Sequence, residues 1–155
     1  MLGRSIFPKL IRPQTFAETS GNGRMETEMT DLTTNKKSVK EFYDLAFNQK
    51  KPAEAVSKYL GRVYRQHNPG FGDGPQAFVA AVEGWVKVNP KLHFDFKRLI
   101  AEANLVAVHS HLKLTPDDRG SAVMDVFRLD NGKIVEHWDV AQPIPEKSAN
   151  SNTMF

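Results

Sequence analysis

With no cysteine in the chain, its five histidines and its carboxylates are the side chains that can move a proton near neutral pH. Two of the histidines, His109 and His111, open the stretch HSHLKLTPDDRGSAVMDVFRLDNGKIVEHWDV, residues 109–140, which also holds Asp125 and His137. The stretch reads as part of three antiparallel strands, 105–114, 121–129 and 133–141, joined by TPDDRG, rich in turn formers, and by Asn131-Gly132, a hairpin signal. Alternate residues of a strand share a face. Asp125 therefore lies on one face with Val123 and Phe127, and a carboxylate among apolar side chains must be paired or protonated. If Leu114 pairs with Ala122, His111 stands opposite Asp125, and the two form an acid/base pair. His67, where a short extended piece meets a loop, is the third candidate catalytic group. Asn68 beside it offers an amide donor for a carbonyl or enolate oxygen.

The last hairpin has two registers. A two-residue loop at Asn131-Gly132 pairs Asp125 with Trp138. A three-residue loop pairs it with His137 and turns Val135, His137 and Asp139 toward Asp125's side, because a slip of one residue exchanges the faces. The candidate ligand-lining residues are Asn68, Tyr43, Tyr64, Trp85, His109, Phe127 and His137. His67, His109, His111 and His137 show no compelling metal-ligand spacing, so neither metal nor cofactor is expected.

Three helices precede the strands. Residues 31–48 carry Val39, Phe42, Tyr43, Ala46 and Phe47 at helical spacing, KKPAEAVSKYL starts a second helix, and PQAFVAAVEGWVKVNP forms a third, with Phe78, Val82 and Trp85 inward. Between the last two, residues 63–67 are extended, and Asn-Pro-Gly and Gly-Asp-Gly-Pro make a turn-dense loop. Helices first and a meander after residue 91 define an α+β fold, with an antiparallel sheet covered by helices on one side. Val106, Val108, Leu112, Leu114, Met124 and Val126 are expected on the outer face, too apolar to stay wet, which predicts a homodimer through that face.

At 155 residues, 40% hydrophobic and 25% charged, the chain is of single-domain size with ordinary globular composition. The net charge of +3 comes from scattered residues, so no nucleic-acid partner is indicated. No apolar run reaches membrane-spanning length, and a cytoplasmic location is expected. Residues 1–30 read as a disordered leader or tag, basic and acid-poor as far as Glu18 in the manner of a transit peptide, with SGNGRMETEMTD as linker. Residues 31–145 form the domain, and 146–155 a flexible tail.

The order of elements, the QHNP-x-x-x-DG loop and the DVFRLDNGKIVEHWDV ending resemble SnoaL-like polyketide cyclases, of the nuclear transport factor 2-like superfamily that also holds ketosteroid isomerases and limonene epoxide hydrolases. The resemblance covers about residues 32–143. It implies a cone-shaped, strongly curved mixed or antiparallel sheet wrapped by three N-terminal helices around an apolar pocket. It implies a catalytic Asp on the penultimate strand, matched by Asp125, and a partner His on the preceding strand, matched by His111. Tyr43 falls near the tyrosine of the isomerases. The implied activity is cofactor-free cyclase or isomerase chemistry, an intramolecular aldol reaction of a small apolar carbonyl compound. The alternative is a ligand-binding or dimerisation module of the same fold. One departure stands out: Asn68 precedes the loop proline where the isomerases have their basic Asp, and an amide cannot take the proton.

Overall fold

The computed structural model describes residues 21–155, with side chains from residue 31 onward. Helix α1 spans Gly21–Tyr43 and continues into a π-helical turn at Asp44–Asn48; α2 spans Pro52–Tyr59, β1 Leu60–Gln66 and α3 Pro75–Val88. Four strands follow: β2 His93–Glu102, β3 Leu105–Lys113, β4 Ser121–Asp130 and β5 Lys133–Pro143. The helix starts earlier than the apolar stripe suggests, because Arg24, Met25, Glu26, Glu28 and Met29 are good helix formers although they show no apolar periodicity. The linker reading of this segment is corrected accordingly. The leader before residue 21 lies outside the described residues. No helix among the described residues is long and apolar enough to cross a membrane.

The sheet has five strands in the order β1-β5-β4-β3-β2, with β1 parallel to β5 and the other neighbours antiparallel. The antiparallel meander thus becomes a mixed sheet, because β1, which precedes α3, pairs along β5. The sheet is not strongly curled, where the resemblance implies a steep cone. Its inner face meets Phe42, Tyr43 and Phe47 from α1 and its π turn, and Phe78 from α3. Phe42 and Phe127 meet edge to face at 6.3 Å, and Tyr43 and Phe127 at 5.0 Å, a favoured geometry for aromatic pairs. The π turn is tied to the sheet by Asn48, whose side chain accepts from Phe94 N at 2.8 Å and donates to Phe94 O at 3.0 Å. Asn48 thereby bonds to β2 as a neighbouring strand would.

Two registers decide what the inner face carries. Between β3 and β4 the partners are Leu112↔Ser121, His111↔Ala122 and Val108↔Asp125. The expected Leu114–Ala122 pairing is displaced by three residues, an odd number, so the faces of β3 are exchanged. The loop is longer than the turn residues alone suggest. Asp118 holds it from inside, its carboxylate accepting from Leu114 N at 3.3 Å and from Gly120 N at 2.9 Å. Val106 and Val108 are consequently fully buried, and Leu112 and Leu114 pack against the core. Four of the six residues expected outside face inward, while Met124 is exposed.

Between β4 and β5 the Asn131-Gly132 turn has two residues, flanked by the pair Asp130↔Lys133, and both turn residues have positive φ, 48° and 73°. Neither anticipated register results. Leu129 pairs with Ile134 but Arg128 pairs with Glu136, leaving Val135 as a bulge, and Asp125 meets Asp139. The extra residue lets Ile134 and His137, three apart, both face inward, which a regular strand forbids. Gly61 makes room beside this bulge: a Cβ there would come within 2.9 Å of Val135 Cγ1.

Gly120 has φ +78°, and a Cβ there would run into the Leu112 carbonyl and the His111 ring. Gly120→Ala is expected to destabilise the fold by about 1–3 kcal/mol in urea titration, since the strained conformation and the clash add. An unchanged midpoint would show that the loop does not hold this register.

Candidate functional site

Asp125 is 1% exposed, beneath a cavity of about 200 Å³ between the sheet and the helices. The walls are mainly apolar, with Phe47, Phe78, Trp85, Phe94, Leu112 and Val123 among them. The polar side is built by three elements. From the end of α1, the Tyr43 hydroxyl donates to Asp125 Oδ1 at 2.7 Å. From β5, His137 Nε2 lies 3.1 Å from the same oxygen and 3.2 Å from the Tyr43 hydroxyl. From β1, Gln66 Oε1 lies 2.9 Å from His137 Nδ1 and also accepts from Asn68 N at 3.0 Å.

The contact with Gln66 orients the His137 ring. A carboxamide oxygen only accepts, so Nδ1 of His137 carries hydrogen. Nε2 then faces the Asp125 carboxyl oxygen and the Tyr43 hydroxyl. Burial pushes the Asp125 carboxyl up from the ordinary aspartate range, and the nearby Asp139 adds to the rise. The bonds from His137 and Tyr43 oppose it without cancelling it. Burial and the adjacent Asp125 likewise hold the Tyr43 phenol well above its usual range, so it remains a donor. Asp125 Oδ2 takes no hydrogen bond from the described residues.

A second carboxylate borders the same cavity. Asp139 pairs with Asp125 across β4 and β5, and its Oδ2 accepts from Asn68 Nδ2 at 2.8 Å. Asn68 is oriented by its own loop, because its Oδ1 accepts from Gly70 N at 2.7 Å in an Asx turn.

Of the residues expected at the site, Asp125, Tyr43, Asn68, Trp85 and His137 border the cavity. Phe127 lies behind it, stacked on His137 at 4.7 Å between centroids. Tyr64 is buried beside it, accepting from Gln66 Nε2 at 3.2 Å and packing on Phe78. His111 does not meet Asp125. The three-residue register shift turns it outward, where its Nε2 lies 2.7 Å from Arg119 O and its ring stacks on Phe155 at 4.5 Å. His109 shares that face, 2.9 Å from an Arg98 guanidinium nitrogen. Phe155 and Met154 place the end of the 146–155 segment against this outer surface. His67 also lies outside: it stacks on Trp138 at 4.7 Å, and its Nε2 is 2.9 Å from Glu136. Strand alternation explains this, since Glu136 and Trp138 face away from His137. Gln66 was missed, although its spacing of two from Tyr64 on a strand puts both on one face. Asp139 had been placed facing the site but given no part in it.

The fold agrees with comparisons to known proteins. A family profile described as the SnoaL-like domain matches residues 39–137, and the chain belongs to that family, within the nuclear transport factor 2-like superfamily. No curated protein sequence matches the chain. Among solved structures it is similar to a candidate isomerase of the SnoaL-like family from Agrobacterium tumefaciens, at 19% identity and TM-score 0.59, covering 74% of this chain and 99% of that one. It is also similar to a candidate polyketide cyclase from Bacillus cereus, at 19% identity and TM-score 0.58, covering 67% and 71%. A third is AclR, a candidate hydroxylase from Streptomyces galilaeus, at 20% identity and TM-score 0.59, covering 72% and 90%. At these identities the likeness is one of fold.

The raised Asp125 pKa sets a sign for stability. In the window between the unfolded and folded pKa values the native state holds a proton that the unfolded chain has released, so stability is lost as pH rises. Asp125→Asn lacks this loss. The stability of Asp125→Asn relative to the native sequence should therefore increase from pH 4 to pH 8 in paired melting curves. A flat difference would contradict the raised pKa.

Proposed function

We propose that this protein is a cofactor-free acid/base enzyme of the cyclase or isomerase type, acting on a small, mainly apolar carbonyl compound bound over Asp125. The carrying observation is a buried carboxylate at the edge of a mainly apolar cavity, with one oxygen held by Tyr43 and His137 and the other without a donor among the described residues. In this reading the ionised Asp125 Oδ2 removes a proton from the carbon next to the ligand carbonyl. Proton transfer is efficient when the catalytic pKa is brought toward the working pH, and burial moves Asp125 in that direction. The enolate carbon then attacks a second carbonyl of the same molecule, and the new alkoxide takes the proton back from Asp125. Tyr43 and His137 hold Oδ1 throughout, so the charge is stabilised in place and no solvent need reorganise. A cavity of about 200 Å³ lies below the range of sites for drug-sized ligands, which favours a compound of one small ring or its open-chain precursor.

A binding module of the same fold is the second reading. It is favoured by the state of the donors, since the Asn68 amide bonds to Asp139 and the Tyr43 hydroxyl to Asp125, leaving neither aimed at an enolate oxygen. Against it, Asp125 is not neutralised by an arginine: Arg128 bonds Glu136, and Arg98 approaches His109.

Asp125→Asn keeps the shape and removes the titrating proton. It is expected to lower turnover of a β-keto aromatic test compound by on the order of 10²-fold or more while the protein stays folded. His137→Gln should reduce turnover as well, and His111→Ala should leave it unchanged because His111 lies outside the cavity. Full turnover in Asp125→Asn would exclude the enzymatic reading, and a loss in His111→Ala would overturn the site.

A further inference from the structure

The face of the sheet turned away from the helices carries a continuous apolar row. Ile100 pairs with Ala107, Ala107 with Val126 and Val126 with Trp138, across β2, β3, β4 and β5. Their chain neighbours Val106, Phe127 and His137 are buried, so the row points outward. The next row is Arg98, His109, Met124 and Val140. Ile100 is 62% exposed and Val140 72%, and contiguous apolar surface of this kind calls for a partner. The sheet is not strongly curled, so the face is broad. Five strands about 4.8 Å apart and about 30 Å long offer roughly 700 Å², close to the ~800 Å² per partner of a standard interface. The row is uncharged, so a two-fold axis can set it against its own copy without opposing like charges.

The chain itself already occupies part of this face. The segment after β5 is tied at its start, where Ile144 N donates to Gly120 O at 2.9 Å, and it returns to the sheet at Phe155. The Phe155 ring stacks on His111 at 4.5 Å and lies 5.4 Å from the His109 ring. The Lys97 ammonium stands 5.2 Å from its centroid, a cation–π distance. Both imidazoles are held in place for it: His111 Nε2 donates to Arg119 O, and His109 Nδ1 accepts from Arg98. Between the two ties, residues 145–153 are exposed. Asn152 N bonds to Asn150 Oδ1 and Thr153 Oγ1 to Phe155 O, so these bonds stay within the segment. Met154 borders an open cavity of about 350 Å³ with His109, Met124 and Val140, so the seat is not filled. A segment held at two points, with few buried contacts, opens at low free-energy cost.

We infer that residues 144–155 form a strap that masks the outer face, with Phe155 as its anchor, and that a second copy of this chain takes the face when the strap lifts. Facing sheets pack about 10 Å apart with their side chains interdigitated, which leaves no room for a chain lying between them. Strap and second copy therefore exclude each other. The strap competes from within its own molecule, so it holds the face at low protein concentration. The inference is independent of the reaction at Asp125.

Sedimentation equilibrium on the full chain tests this. The native sequence should remain a single copy at tens of micromolar, and Phe155→Ala should associate to a defined dimer at least about tenfold more tightly. His111→Ala removes the same stack from the sheet side and should do likewise. Adding Val140→Asp to Phe155→Ala should restore the single copy, because pairing would bury an unpaired carboxylate. A synthetic peptide of residues 144–155 at about 1 mM, the order of the effective concentration of a short tether, should dissociate the Phe155→Ala dimer. The same peptide carrying Phe155→Ala should not. A native chain already dimeric at tens of micromolar would overturn the inference, as would a peptide that leaves the dimer intact. So would a Phe155→Ala protein that stays single, aggregates without a defined mass, or remains dimeric with Val140→Asp. Failure of Phe155→Ala or His111→Ala to fold would overturn it as well, because a mask contributes no core.

Discussion

A carboxylate at the bottom of an aromatic core is the constraint around which this protein is built. Taking Asp125 out of water carries a cost of several kcal/mol for an unpaired ion, and the structure lowers it in three ways. Tyr43 donates a hydrogen bond, His137 sets its Nε2 against the same oxygen, and the carboxyl's own affinity for a proton rises. Each of the two partners comes from a different element, so the end of α1, β4 and β5 must all be in place before the charge is accommodated. The bonds that compensate its burial also hold one oxygen still and leave the other without a donor among the described residues.

The irregular backbone follows from this requirement. The π turn after Tyr43 lets Asn48 reach back to Phe94 and fastens the end of the helix to the sheet. The Val135 bulge brings His137 to the inner face although the two-residue turn would have sent it outside. The Asx turn at Asn68 aims the amide at Asp139. Bulges and π turns gather near functional sites because they re-aim a side chain without rebuilding the element that carries it. The outer face has its own polar chemistry: Glu136 joins Arg128 and His67, with His67 stacked on Trp138. Glu136 and His137 are adjacent in sequence and serve opposite sides of one strand.

Much of this was legible in the residues. Period-3.6 stripes marked the three helices, and alternation with turn chemistry marked the last strands nearly to the residue, because such elements bury one face and their local patterns report it. Asp125 stood out because a carboxylate between Val123 and Phe127 contradicts its surroundings. Tyr43 and His137 were named as facing the site, and the belonging of residues 39–137 to the SnoaL-like family follows the same ending that first suggested it.

What the sequence could not decide was which residue stands opposite which. His111 and His137 are both histidines on strands next to the Asp125 strand, and choosing between them needs the register of two pairings. A seven-residue connection held by Asp118 moved one pairing by three, and a bulge at Val135 moved the other by one. Strand faces alternate, so an odd shift exchanges inside for outside, and energies distributed over the whole sheet set such shifts. His67 went outward for the same reason, and the pairing of β1 with β5 across one intervening helix and three strands has no local signal at all. The sequence by itself determined the elements and the buried acid. Only the tertiary structure chose that acid's histidine and set a second carboxylate beside it.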